Sequence, residues 1–213
     1  MTEHAVLMDR IYRHQRYVYD FTRKYYLFGR DSLISDLKLK PGARLVEIGC
    51  GTSRNLIKIA QAYPDAQLFG LDASAEMLRT SASAIERAGL SHRIKLVRAY
   101  AEDLTPALFG ERAVFDEAIF SYSLSMIPDW KQALKAAGQA LSPQGRVHVV
   151  DFGDLTGLGP IAERLLRLWL GLFHVAPREE LLRTLEKRHS GGLRLLAGRY
   201  AFVWTASRAE SSW

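Results

Sequence analysis

Cysteine is almost missing from the chain: Cys50 stands alone, so no intramolecular disulfide is available and burial and hydrogen bonds must hold the fold. No apolar run reaches bilayer-spanning length and no secretory leader is read, which sets the expectation of a cytosolic protein, attached at most to the inner face of a membrane. Internal repeats and low-complexity stretches are lacking as well. Positive charge is in modest excess, with 29 Lys and Arg against 23 Asp and Glu, a balance of +6. That is small for a nucleic-acid binder and suits a protein that meets anionic surfaces. With 213 residues, 48% of them apolar, the chain has enough material for one sizeable core and an appendage.

What the sequence does contain is organised around Arg44-Leu-Val-Glu-Ile-Gly-Cys-Gly-Thr-Ser53. Most of its first five residues suit a buried strand, Gly49 and Gly51 break the pattern, and a helix-like run follows over 55–62. Glycine fits there because a tight turn needs unusual backbone angles and a ligand must lie against the main chain. Glu47 lies inside the strand, where a carboxylate needs a cationic or hydrogen-bonding partner. About twenty residues on, Gln67-Leu-Phe-Gly-Leu-Asp72 is a second short strand tipped by an acid, placed to accept hydrogen bonds from a ribose diol. The third glycine of the dinucleotide fingerprint is missing, with Asn55 and Leu56 near its place, which argues against a pyrophosphate cofactor.

The spacing Glu47-x-Gly49-x-Gly51 with Asp72 resembles the cofactor loop of class I S-adenosylmethionine-dependent methyltransferases, over roughly residues 40–150. The resemblance implies S-adenosyl-L-methionine as cofactor, held by Tyr25, Glu47, Gly49, Gly51, Asp72, Ala73, Met77, Ala101, Glu102 and Ser121. It implies no metal.

Strand and helix signals then alternate as a doubly wound sheet requires. A helix over 75–88 opens with Ser74 as N-cap and closes at Gly89. A third strand over 94–98 leads into Tyr100-Ala-Glu-Asp-Leu104, which resembles the loop that reads adenine; Tyr100 stands where that family often has an acid, leaving Glu102 or Asp103 for the adenine amine, while a simple acidic helix cap is the plainer alternative. The fourth strand, 115–120, is followed by Ser121 and Tyr122, positioned beyond a strand's carboxyl end to border the transferred methyl. His148 alternates with valines in a fifth strand over 145–151 and reads as a strand residue rather than a base. A helix over 160–173 carries Arg164 and Arg167 with Trp169 and Phe173 and fits either a bilayer interface or burial against the sheet. A charged helix over 178–188 and a hairpin around Gly198 complete an α/β, Rossmann-like, doubly wound seven-stranded sheet of order 3-2-1-4-5-7-6. The expected organisation is a helical cap over 1–40, a methyltransferase domain over 41–206 and a tail over 207–213.

In the cap, Tyr12, Tyr19 and Tyr26 recur every seven residues and Arg16, Arg23 and Arg30 follow each by four, which on one helix makes two stripes. These either pack with snorkelling arginines or close over the cofactor. Met8-Asp-Arg-Ile-Tyr12, Tyr19-Asp-x-Thr-Arg-Lys-Tyr-Tyr26 with Gly29-Arg-Asp31, and Phe173-His-Val-x-Pro-Arg178 look like one family, the bacterial diacylglyceryl-homoserine N-methyltransferases, which trimethylate the homoserine nitrogen of a lipid to give a betaine lipid. The resemblance implies a lipid substrate, peripheral contact with an anionic membrane, an upstream transferase that forms the homoserine lipid, and no nucleic-acid partner. Tyr25, Tyr26 and Tyr122 become candidates to face the cationic product, and Arg30 and Arg178 to clamp the headgroup carboxylate. Phosphatidylethanolamine N-methyltransferases share the cofactor loop and an aromatic N-terminal region and are the alternative, with a small-molecule methyltransferase behind them. A noncatalytic protein on the same fold is disfavoured by the intact loop acids and glycines.

Overall fold

The computed structural model describes residues 27, 29–171, 178–188 and 191–210. The expectations for Tyr12, Arg16, Tyr19, Arg23, Tyr25 and Tyr26, and for the stretch 173–177, concern residues outside these.

A seven-stranded sheet forms the centre, in the order β3-β2-β1-β4-β5-β7-β6. Its strands are β1 (Arg44–Ile48), β2 (Gln67–Asp72), β3 (Ile94–Arg98), β4 (Phe115–Ser121), β5 (Leu141–Phe152), β6 (Gly192–Leu196) and β7 (Ala201–Ser207). The first five run parallel, and β7 pairs antiparallel with both β5 and β6. This is the Rossmann-like order expected from the alternating pattern. It follows from short strands buried on both faces, which read as near-continuous apolar runs and need helices on each side.

The helices are α1 (Arg30–Asp36), α2 (Arg54–Ala62), α3 (Ala75–Arg87), α4 (Trp130–Ala140), α5 (Pro160–Gly171) and α6 (Glu179–Lys187). One core layer packs Leu134 of α4 and Leu181, Leu182 and Leu185 of α6 against Val46, Phe120, Val149 and Trp204. The opposite layer takes Leu33 and Ile34 of α1, Leu56 and Ile59 of α2 and Leu170 of α5 against Leu45, Ile119 and Val150. Ser74 caps α3, its Oγ accepting from the Met77 N–H at 3.3 Å, as the sequence predicts. Fully buried side chains on both faces fix the register, since a one-residue slip would turn each strand's residues to the wrong layer.

The fifth strand is longer than its sequence signal, starting at Leu141 rather than near Gly145, because an irregularity between Phe115 and Glu117 lets β5 pair with β4 earlier. His148 sits within this strand, its Nε2 2.8 Å from Glu117 Oε2 and its Nδ1 3.0 Å from Thr205 Oγ1. It therefore ties β4, β5 and β7 together, level with Glu47 in the register but two strands to the side of it.

Candidate cofactor and acceptor site

Beyond the carboxyl ends of β1, β2 and β4 the chain opens into a cleft whose non-atom space is about 730 Å³, its mouth included. Ligands of α/β sheets lie at this edge, where the strand order reverses on either side of β1.

The glycine turn makes the floor. Gly49 and Gly51 both have positive φ, 73° and 53°. A Cβ at Gly49 would stand 2.5 Å from Ser123 Cβ, so the turn admits only glycine there. Ser123 holds that approach by donating its Oγ–H to the Ile48 carbonyl at 2.6 Å. Asp72 then locks the turn from the neighbouring strand: its Oδ2 accepts from the Gly51 N–H at 2.8 Å and its Oδ1 from the Ser74 N–H at 2.9 Å. A carboxylate oxygen accepts more than one hydrogen bond, so an acid in this place can also take a ribose hydroxyl. Behind the floor, Glu47 is buried and its Oε1 accepts from Asn55 Nδ2 at 2.7 Å.

Of the cofactor residues named from sequence, Gly49, Gly51, Asp72, Ala73, Met77, Ala101 and Glu102 all line the cleft. Glu47 and Ser121 stand behind it rather than in it. The Ser121 hydroxyl is buried and has no hydrogen-bond partner among the described residues. Sequence reasoning did not find Leu71, Ala99, Met126, Ile127 and Pro128, the apolar walls. Their signal is weak, because any apolar residue serves and only the fold brings them together. Flat apolar walls, a short helical turn over Ala101–Asp103 carrying Glu102, and the acid of β2 are the features an adenosine moiety requires, and these residues fit it.

Tyr122 borders the far end of the cleft. Its φ of 54° is rare for a bulky residue and is held by its N–H donating to the Val150 carbonyl at 2.7 Å. The ring packs edge-on to Phe152 at 4.7 Å, and Phe152 in turn meets Tyr200 at 5.8 Å. Burial raises the Tyr122 phenol well above its ordinary pKa, helped by Tyr200 and Asp151, while the positive charge of Arg30 acts the other way. Arg30, Tyr122, Asp151 and Tyr200 thus share one neighbourhood, of which the sequence pointed to Arg30 and Tyr122.

Asp151 is fully buried at the tip of β5. It accepts from the Ser125 N–H at 2.9 Å, the Ser125 hydroxyl at 2.7 Å and the Phe152 N–H at 2.8 Å. Desolvation pushes its carboxyl up to about 6, against the pull of those bonds and of Arg178. Arg178 donates its Nη1–H to the Ile127 carbonyl at 2.8 Å and the Pro128 carbonyl at 3.3 Å. Asp151 and Arg178 therefore grip the cleft-lining segment 123–128 from two sides.

A family profile described as "Methyltransferase domain" matches residues 45–145. Residues 45–145 thus match a methyltransferase domain, on a fold that solved methyltransferases share. The cofactor is S-adenosyl-L-methionine, whose adenosine moiety the cleft residues fit. Among similar proteins, the "Ubiquinone/menaquinone biosynthesis C-methyltransferase UbiE" of Syntrophotalea carbinolica is 30% identical over 165 residues, covering 75% of this chain and 65% of that one. The demethylmenaquinone methyltransferase of Bacillus mycoides is 28% identical over 124 residues, covering 58% and 50%. The chain spans less than two thirds of these relatives. In fold it is similar to an O-methyltransferase family protein from Burkholderia thailandensis, with a TM-score of 0.70 at 13% identity over 94% of this chain and 62% of that one. It is also similar to the methyltransferase SibL in its apo form, with a TM-score of 0.66 at 21% identity over 90% and 57%.

Proposed function

We propose that the domain transfers methyl groups from S-adenosylmethionine to the homoserine nitrogen of diacylglyceryl-homoserine, building a betaine lipid. The observation that carries this reading is the make-up of the cleft. Its described lining residues include no histidine, lysine or cysteine, and the carboxylates among them are Asp72, bound to the glycine turn, and Glu102, on the adenine side. Among the described residues that line the cleft beside Tyr122, Ser123 and Met126 there is no histidine, lysine or carboxylate; Asp151, the acid nearest to them, is buried behind Ser125 and bonded to its N–H and hydroxyl. An amine beside a free carboxylate is mostly protonated near pH 7, but its small neutral fraction is replenished by proton loss to water, whereas a weakly acidic carbon or phenol acceptor needs a positioned base.

When bound, S-adenosylmethionine supplies an already activated methyl, so the protein's work is positioning and exclusion of water. Tyr122, held by its strained backbone and by Phe152, offers an aromatic wall to a substituted ammonium. Arg30, on the same side, supplies the cation for the headgroup carboxylate; Arg178 is committed to the Ile127 and Pro128 carbonyls and serves better as a brace of the loop. Phosphatidylethanolamine presents no such carboxylate and forgoes that bidentate contact.

A second reading, methylation of a quinone ring carbon, has support in the names of the relatives. One experiment separates the two: labelled S-adenosylmethionine is incubated with the protein and, in parallel, with diacylglyceryl-homoserine, phosphatidylethanolamine or a demethylated menaquinone in detergent. Label on the homoserine lipid is expected. Label on the quinone alone, or equal rates on the two nitrogen headgroups, refutes the homoserine reading.

A further inference from the structure

The three most exposed large apolar side chains of the described residues are Ile161, Leu165 and Leu168, at 77%, 63% and 64% exposure. They are not scattered. All three belong to α5, at positions i, i+4 and i+7, and so fall on one face as a stripe about 10 Å long. An isolated exposed leucine needs no explanation, but three in register on a single helix do.

The opposite face of the same helix is part of the body. Leu170 is fully buried, and Leu166 and Trp169 pack against the core layer that contains Tyr122, Phe152 and Tyr200. The helix is anchored rigidly too, because Arg167 donates to Glu163 Oε1 at 2.9 Å, to the Asp154 carbonyl at 2.8 Å and to Glu179 Oε1 at 3.3 Å. The stripe is therefore presented to solvent by a fixed element that backs onto the acceptor end of the cleft.

Charge says what would cover it. Arg164 lies between Ile161 and Leu165, is exposed, and makes no ion pair among the described residues. Glu163, the acid nearest it in sequence, is engaged by Arg167. A face of three apolar side chains with an unneutralised arginine on its flank, on a chain of net charge +6, is complementary to an interface that is apolar inside and anionic at its surface.

We infer that α5 is a membrane-docking helix, which sets Ile161, Leu165 and Leu168 among the acyl chains of an anionic bilayer with Arg164 at the headgroups. The inference rests on the reading of a lipid-borne acceptor and adds the route: the helix places the cleft beside the surface that holds the substrate, so the headgroup enters while its chains stay in the membrane.

The test uses the full chain and vesicles of phosphatidylglycerol mixed with phosphatidylcholine, followed by sedimentation. Wild-type protein should sediment at low salt, less so as salt rises, and less with phosphatidylcholine alone. The triple variant I161Q/L165Q/L168Q, which changes exposed positions to a good helix former, should lower the partition coefficient about a hundredfold while leaving S-adenosylmethionine affinity, read by calorimetry, unchanged. Arg164→Gln should weaken binding to the anionic vesicles and have little effect on the neutral ones. Methyl transfer to a detergent-dispersed acceptor is measured beside these, so that a wrong acceptor and a wrong surface give different patterns. The inference is overturned if wild-type protein stays in the supernatant at low salt or if the triple variant sediments equally well. It is overturned too if light scattering finds an oligomer that the triple variant dissociates, since the stripe then covers a second copy of the chain.

Discussion

A buried carboxyl that titrates near pH 6 should make this protein lose stability as the solution turns from mildly acidic to neutral. Asp151 has an ordinary value of 3.8 when exposed and about 6 in the fold, chiefly because burial penalises its charge. The unfolded chain releases this proton near pH 4 and the folded chain near pH 6, so between those values the folded state binds more protons. Stability then falls as pH rises, and above about pH 6 the loss is constant. The full difference is worth about 3 kcal/mol, a large share of the stability of a domain this size. The other shifted carboxyls, Asp31, Asp154, Glu111 and Glu180, all lie below their ordinary values of 3.8 or 4.5, so their contributions rise with pH as the unfolded chain titrates, and comparison with a variant that keeps all four cancels them. Asp151→Asn removes the titration. It also turns an amide N–H toward either the Ser125 or the Phe152 N–H, whichever way the side chain is flipped, and should cost about 1–3 kcal/mol at every pH. Urea unfolding of both proteins at a series of pH values from about 4.5 to 7 is the assay. The wild-type curve should descend relative to the variant's across this range. Parallel curves would refute the assignment of the transition to Asp151.

Three further outcomes are expected. Gly49→Ala adds a Cβ 2.5 Å from Ser123 Cβ at a φ of 73° and should cost about 2–4 kcal/mol, seen as a lowered Tm together with loss of cofactor binding; an unchanged Tm would show that the turn can relax. Asp72→Ala should weaken S-adenosylmethionine binding by about 1.5–3 kcal/mol in calorimetry, and unaltered affinity would remove Asp72 from the site. Asp154 is held down to about 2 mainly by Arg199, so its contribution is present above pH 4 and lost as pH falls through about 2. Arg199→Met should therefore destabilise by about 1 kcal/mol at neutral pH, after allowance for solvent screening, and by less in strong acid.

Much of the cofactor site could be read in advance because backbone requirements write themselves into residue type. A turn with two positive φ angles demands glycine, and an acid at a strand tip has few structural reasons to be there, so Gly49, Gly51 and Asp72 stood out. Ser74 was visible for the same reason, as a cap with a local partner three residues on. Asp151 and Ser125 lie 26 positions apart and share no periodicity, so only the β4–β5 register brings them together. Tyr122 was expected at the transfer end, but its left-handed backbone, forced by the Val150 carbonyl, has no signature in a residue that rarely adopts it. The helix over 160–173 stayed ambiguous because periodicity shows that a helix has an apolar face without showing what lies against it. Here apolar residues point both ways, Leu170 inward and Ile161, Leu165 and Leu168 outward.

The double grip of Asp72 on the Gly51 and Ser74 amides has a thermodynamic consequence for ligand entry. The side chain is already in its working orientation before any nucleoside arrives, so the entropy of ordering it is settled when the chain folds and not when the cofactor binds. Folding and affinity are then linked through one carboxylate: a change that loosens its hold on the glycine turn should appear in the apo protein as a lower melting temperature, and again in the cofactor-bound protein as a less favourable entropy of association.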